Sequence, residues 1–369
     1  MKRLLSFSIV LSVFLVFIGC NTFKKDKEMV VNLTESDLGA EMHFDGSFTV
    51  LQFNIWQEGT IVPGGFNAIV DEVIQANADL VALSEVRNYN NESLAKRLVD
   101  ALANKGHTYY SKRSEDSGIL SKFPIISQEV LYPLKNDRGT ITKAIIKVAG
   151  IQIAFYSTHL DYTHYACYLP RGYDGITWEK LAAPMLEVDK ILEQNLASER
   201  DETIAIFVND ALKEKDNGNL VLLGGDFNEP SHLDWGEESK DLFDHNGTVV
   251  PWHNSIVMQN KGFLDAYRLK YPDPVSHPGL TWAANNTDVP IDKLAWTPKA
   301  DDRDRIDFIY FYPDERLELM DVILVGPIGG IAYGKRITTN PGQDKFLEPK
   351  GVWPSDHKGV FATFKIKTF

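Results

Sequence analysis

The chain has 369 residues, of which 44% are hydrophobic and 24% charged, which is too much apolar material for a disordered chain and enough for one large domain or two small ones. The formal charge of −13, with no basic run, disfavours a protein that works by neutralising long stretches of nucleic-acid phosphate. Cys20 and Cys167 are the only cysteines, so a disulfide scaffold is excluded as the basis of the fold.

The first residues read as a leader. Lys2 and Arg3 precede an apolar run from Leu4 to Ile18, interrupted by Ser6, Ser8 and Ser12, and Gly19 then precedes Cys20. A positive start, a short apolar stretch and a small residue make a secretory signal, and the run is short for a membrane span. The Gly19-Cys20 ending resembles a bacterial lipobox, although Phe17 stands where that pattern usually has leucine. Residues 1–20 are therefore expected to be a signal peptide and Cys20 a lipidated first residue. An ordinary cleaved signal and an uncleaved anchor are the alternatives. Residues 21–44, polar and carrying Lys24, Lys25, Asp26, Lys27 and Glu28, read as a tether, and 45–369 as one domain. The expected location is the cell envelope, on the periplasmic or outer-surface face, with Cys20 holding the protein to a membrane. Loss of Lys2 and Arg3 would take the charge from −13 to −15.

Beyond the tether, β and α patterns alternate. Phe48 to Ile55 is β-branched and aromatic, Phe66 to Ala76 has a helical period, and Asp79 to Ser84 is a short buried strand. Ser93 to Asn104 reads as a helix closed by Gly106, followed by strands at Gly118–Ser121 and Ile125–Tyr132. Ile141–Val148 and Ile151–Thr158 form a hairpin around Ala149-Gly150. Trp178 to Leu212 reads as the main helical region, and strands are expected at Leu220–Leu223, Arg305–Phe311, Leu317–Val325 and Val360–Lys367. Hairpins interspersed with helices point to two largely antiparallel sheets packed face to face with helices outside, an α+β architecture.

Polar clusters follow several of the apolar runs, where side chains at strand ends can converge on one rim. They are Asn54 in LQFNIW, Glu85 after DLVALS, His159 with Asp161 after IAFYST, Asp226 and Asn228 after NLVLLGG, Asp307 in DRIDFIY, and Asp356-His357 in WPSDHKGV. An isolated aspartate at a strand end is usually a turn or cap. Six such clusters in one order are more informative.

That order, and above all Gly225-Asp226-Phe227-Asn228, Arg305-Ile306-Asp307 and Ser355-Asp356-His357, resembles the endonuclease/exonuclease/phosphatase (DNase I-like) superfamily from about Phe48 to Phe364. The resemblance implies a four-layer sandwich of two mixed, mostly antiparallel sheets flanked by helices, and phosphoester hydrolysis with a divalent metal. A phosphoester repels nucleophiles, so a cation and hydrogen-bond donors must neutralise it. By the resemblance, Glu85 is the principal metal carboxylate, with Asn54 beside it and Asp356 adding a further carboxylate. Oxygen donors of this kind suit Mg²⁺, with Mn²⁺ or Ca²⁺ as alternatives. Asp226 and Asn228 match the pair that handles the water or leaving group, Asp307 orients His357 against the phosphate, and His159 is a second histidine on it. Where abasic-site endonucleases carry another metal-binding aspartate, this chain has Trp56, which counts against a nuclease and a two-metal site.

The segment from Tyr162 to Pro184 is aromatic and starts three residues after His159; it reads as a lid or pocket wall that selects the leaving group, with Tyr165, Tyr168 and Arg171 as substrate contacts. A surface loop packed by its own tyrosines is the alternative. Asp161 is a substrate contact or a turn cap, and His232 and Asp234 in SHLDW reach the pocket or cap a helix. The expected protein is an exported, monomeric phosphoesterase acting on a small phosphoester such as a sugar phosphate, inositol phosphate or similar headgroup. A secreted nuclease, a sphingomyelinase-like phospholipase and a non-catalytic surface-binding lipoprotein are the alternatives.

Overall fold

The computed structural model describes residues 46–136 and 138–367, so the expected leader, Cys20 and the tether lie outside it. Fourteen strands and six α-helices follow one another among the described residues. They are β1 (Ser47–Asn54), α1 (Gly65–Ala76), β2 (Leu80–Val86), α2 (Leu94–Asn104), β3 (Asp116–Ser121), β4 (Ile125–Tyr132), β5 (Gly139–Val148), β6 (Ile151–Leu160), α3 (Val188–Asn195), α4 (Arg200–Asp216), β7 (Leu220–Asp226), α5 (His253–Asn260), β8 (Leu264–Asp265), α6 (Ala266–Lys270), β9 (Asp307–Phe311), β10 (Leu317–Val325), β11 (Gly330–Ala332), β12 (Lys335–Ile337), β13 (Phe346–Leu347) and β14 (Gly359–Ile366).

Two six-stranded sheets result, in the orders β13-β10-β14-β1-β2-β3 and β4-β5-β6-β7-β9-β8, with β11-β12 as a separate hairpin. Each large sheet is mixed. The pair β1/β2 is parallel at the centre of the first sheet and β6/β7 at the centre of the second, with mostly antiparallel strands around them. This is the two-sheet, helix-flanked sandwich expected from the sequence.

Side-chain alternation along a strand decides what each face carries. In β1, Leu51 and Phe53 point outward into a core shared with Ile69, Val70 and Val73 of α1 and Leu94, Leu98 and Leu102 of α2. Gln52 and Asn54 therefore point inward. In β7, Val221 and Leu223 pack outward with Ile204, Phe207 and Val208 of α4, and Gly224 and Asp226 face the other sheet. The interior between the sheets is partly polar: Ser84 Oγ donates to Thr158 O (2.9 Å), Ser157 Oγ to Leu83 O (3.0 Å) and Gln52 Nε2 to Asp307 Oδ1 (2.7 Å). The sheets approach closely at Gly224, where a Cβ would lie 2.7 Å from Ala82 Cβ.

The region Trp178 to Leu212 is not one helix. Asp174 Oδ1 accepts from Ile176 N and Thr177 N, holding a turn, and Trp178 follows with φ 60°, which no helix contains. Helix begins only at Val188, past Pro184, and breaks again between Asn195 and Arg200. A third apolar cluster lies among the loops, where Tyr165, Tyr168, Tyr173, Trp235, Trp252 and Trp282 pack together.

Candidate active site

Strand register places the polar side chains before any contact is considered. His159 on β6 pairs with Asp226 on β7, and Asp226 pairs with Asp307 on β9. All three lie on the inward face at one rim. Opposite them, on the first sheet, Asn54 ends β1 beside Ser84 of β2. Strict alternation would turn Glu85 outward with Leu83, but the register shifts between Ser84 and Val86, and Glu85 takes φ 70°. This bulge re-aims its carboxylate onto the rim. Asp356 and His357 arrive from the turn before β14, fixed by Ser355 Oγ, which donates to Asn54 O (2.7 Å) and accepts from His357 N (3.1 Å).

These groups line one pocket of about 310 Å³, walled by Glu85, Asp356, His159, His357, Asp226 and Asn228 at one end. Asn54 Nδ2 bridges the two sheets, donating to Glu85 Oε1 (3.1 Å) and Asp226 Oδ2 (2.9 Å). Two imidazoles flank Asp226. His357 Nε2 is 3.6 Å and His159 Nε2 3.9 Å from Asp226 Oδ2. Each ring is backed by a buried carboxylate on its other nitrogen: His357 Nδ1 lies 2.9 Å from Asp307 Oδ2, and His159 Nδ1 lies 2.9 Å from Asp116 Oδ1. Those bonds leave both Nε2 atoms facing the pocket.

Burial would depress both histidines, but the carboxylates outweigh it. Asp307 and Asp226 hold His357 well above its usual range, and Asp116, with Asp226 and Glu85 behind it, raises His159 to about 9. Burial pushes Asp226 up to about 6 against the pull of His357, with Asp307 raising it further. Burial likewise lifts Asp356 to about 8, opposed by His357 and reinforced by the neighbouring Glu85. Asp356 Oδ1 is buried and has no hydrogen-bond partner among the described residues. An acidic pair with an orphaned oxygen fits a cation, which would satisfy that oxygen and relieve the repulsion. Ligand-capable atoms of Asp226, Asp307 and His357 also lie within 4.8 Å of one another. A divalent-metal cofactor is supported by this buried Asp/Asp/His group. Both Asp307 oxygens are already engaged, by Gln52 and His357, and both Glu85 oxygens accept, from Asn54 Nδ2 and Gln57 N, so Asp356 Oδ1 is the carboxylate oxygen left open for a cation.

The remaining expected contacts divide. Tyr165 and Tyr168 line the pocket. Arg171 does not: it is buried behind the wall, where it donates to Asp304 Oδ2 (2.5 Å), Arg303 O and Phe243 O. Asp161 is a turn cap, accepting from Thr163 N (2.9 Å) and Glu199 N (3.0 Å). His232 lies away from the pocket against Ser255 and Gln259, and Asp234 neutralises Arg268 and Arg305 in the interior. Proximity in sequence drew these four in, but their hydrogen-bonding capacity is used for structure. The expected lid is a wall packed into the loop cluster. Sequence reasoning missed Asp116, Arg87, Gln57, Trp282 and Trp296, whereas Tyr162 and Trp178 line the pocket from the segment expected to form its wall. Asp116 sits in an unremarkable SEDSG stretch, Arg87 donates to Asp116 Oδ1 (2.9 Å), and Trp282 and Trp296 come from loops that carry no motif.

Comparison with known proteins agrees with this geometry. The model of the endonuclease/exonuclease/phosphatase family matches residues 51–357. The chain is similar to an uncharacterized protein of Caenorhabditis elegans, 31% identical over 329 residues that span 85% of this chain and 90% of that one. Among solved structures it is similar to D. rerio TDP2 complexed with single strand DNA product, with 14% identity, a TM-score of 0.49, and coverage of 87% of this chain and 100% of that one. It is also similar to an endonuclease/exonuclease/phosphatase family protein from Bacteroides thetaiotaomicron, with 15% identity, a TM-score of 0.43, and coverage of 87% and 98% respectively.

Proposed function

The chain belongs to the endonuclease/exonuclease/phosphatase family and is a metal-dependent phosphoric ester hydrolase, and on that premise we propose that it hydrolyses a small phosphoester such as a sugar phosphate, an inositol phosphate or a similar headgroup. The observation that carries this reading is the confined pocket of about 310 Å³ in which the polar centre meets an aromatic wall, at the small end of ligand pockets. Glu85 and Asp356 would hold Mg²⁺, with Mn²⁺ or Ca²⁺ as substitutes, because both offer hard oxygen donors. The cation would neutralise phosphoryl oxygens as charge develops.

The chain's own groups supply the rest. Protonated His357 and His159 each turn an Nε2–H toward the space where a phosphoryl oxygen would sit, and Asp307 and Asp116 keep those protons in place. Asp226, held near 6 between the two rings, accepts a proton from the attacking water. Asn54 fixes Asp226 against Glu85, so the base and the cation end move as one unit. Asn228 is held beside them, its amide donating to Leu160 O (3.0 Å).

Action at the end of a single nucleic-acid strand is the second reading, favoured by the exposed rings of Tyr162 and Trp296 at the mouth, on which a base could stack. A phosphate-release screen separates the readings, run with and without EDTA on sugar phosphates, inositol phosphates, sphingomyelin, oligonucleotides and plasmid. Release from the small esters that EDTA abolishes is expected. Preferential cleavage of oligonucleotide or plasmid would transfer the conclusion to the second reading, and release that survives chelation would overturn the metal chemistry. We also propose that Cys20 anchors the enzyme in the cell envelope. Cys20→Ser should then shift it from the membrane to the soluble fraction, and an unchanged distribution would refute the anchor.

A further inference from the structure

We infer that the pocket mouth is a subsite for one hydroxylated six-membered ring borne on the phosphoester, selected by Trp178 and Trp296. This rests on the phosphoesterase reading and names its substrate class. Trp178 and Trp296 come from separate loops, yet their rings meet at 4.5 Å and 61° over the pocket.

Both loops are pinned. Trp296 N donates to Asp302 Oδ2 (2.8 Å), and Thr297 Oγ1 to Asp302 Oδ1 (2.7 Å). Trp178 is presented at φ 60° by the turn that Asp174 caps. A bulky residue in this left-handed region is costly and persists only where its surroundings impose it. Lys299 N donates to Tyr173 Oη (2.9 Å), which ties one loop to the other. The rings are thus set in place before any ligand arrives, which reduces the ordering cost of binding.

The shape of the subsite excludes other occupants. Deeper in the wall, Tyr165 and Tyr168 meet at 4.6 Å and 88°. Neither pair is parallel, so neither presents two facing rings between which a flat fused base could be sandwiched. A volume of about 310 Å³ shared with the phosphoryl centre leaves room for one ring. Arg87, the one lysine or arginine in the lining, is engaged by Asp116 and Glu85, so no cationic track continues along a polyanionic strand. A saturated ring puts C–H groups on its faces and hydroxyls on its edge. Its faces would lie on the indoles while its hydroxyls point to the open mouth, where Tyr162 and Trp296 are 40% and 42% exposed.

The test is steady-state kinetics of the full chain on glucose 1-phosphate, myo-inositol 1-phosphate, glycerol 3-phosphate and p-nitrophenyl phosphate. Stacking on one ring is worth about 0.5–1.5 kcal/mol, so Trp178→Ala or Trp296→Ala should raise the KM ratio of ring polyol to glycerol ester by roughly two- to twelvefold. Trp178→Phe and Trp296→Phe should keep the ratio close to the wild-type value, and Tyr173→Phe should raise it partway toward the alanine variants without changing the pH profile of kcat. Equal losses on ring and acyclic esters would overturn the subsite, and a wild-type preference for the aryl ester would overturn the hydroxylated class. If the wild-type protein hydrolyses none of these esters, the small-phosphoester reading fails separately. Indole fluorescence in EDTA then still decides the subsite: saturable quenching by myo-inositol 1-phosphate and not by glycerol 3-phosphate supports it, and no quenching overturns it.

Discussion

Asp116 sets the charge of His159, and Asp116→Asn removes that control while keeping the side chain's shape. Both Asp116 oxygens lie 2.9–3.0 Å from His159 Nδ1, and burial alone would keep the imidazole neutral. The interval between the ordinary value of 6.5 and about 9 corresponds to about 3.4 kcal/mol in favour of imidazolium, at about 1.4 kcal/mol per tenfold. The asparagine amide leaves only Asp226 and Glu85 to oppose desolvation, so in EDTA-treated variant protein the His159 resonances should titrate at least ~2 pH units lower than in wild type. At pH 8 the proposed donor is then uncharged, and kcat/KM should fall about 10²-fold, with partial recovery on acidification. The linkage has a definite sign. A histidine raised on folding contributes stability that is complete below about 6.5 and lost as pH rises through about 9. This slope should flatten in the variant. A His159 that still titrates near 9 without Asp116, or a wild-type rate at pH 8, would refute the reasoning.

Other consequences are as direct. Saturating Mn²⁺ should stabilise the wild-type protein, by about 2.7 kcal/mol at a hundredfold excess over Kd, and Asp356→Asn should abolish most of that gain in a melting assay; an unchanged gain would move the ion toward Asp226, Asp307 and His357. Glu72 on α1 has a buried, unpartnered Oε2 and a carboxyl pushed by burial, then by Asp71, to about 7. Because its folded value lies above the usual 4.5, stability declines between those two pH values. Glu72→Gln should therefore melt higher at pH 8, by at most about 3 kcal/mol, and match wild type near pH 4.5; equal stability at pH 8 would contradict the buried charge. Arg171→Met would strand the Asp304 carboxylate in the interior at a cost of about 3–5 kcal/mol, read by urea unfolding. A cost below 1 kcal/mol would show that this pair does not hold the wall.

The sequence was most readable where hydrophobic alternation is strong. FTVLQFN, LVALS and LVLLGGD become central strands because both of their faces are buried, and the polar residue ending each run lies at the rim. The helix at HNSIVMQN was not legible, since its mixed, polar composition carries no clear stripe and packing against α4 secures it. Short strands such as Phe346–Leu347 exist only through pairing with β10. In the site, Glu85, Asp226 and His357 were visible as motif residues, whereas Asp116 and the tryptophans at the mouth depend on how distant loops meet. Conversely, Arg171, His232 and Asp234 carried the right chemistry in sequence, but folding paired each with an interior partner.

The glycine before Gly225-Asp226 acts at a distance from the chemistry. Glu85 and Asp356 belong to one leaf of the sandwich, Asp226 and His159 to the other, and Gly224 lies where the leaves nearly touch, deeper than any of them. It works as a spacer gauge: a single added methyl would meet Ala82 Cβ at 2.7 Å and wedge the covers of the book apart at the spine. The gap that a phosphoryl group must bridge would widen. A residue that touches neither ion nor ester thereby sets the reach between them.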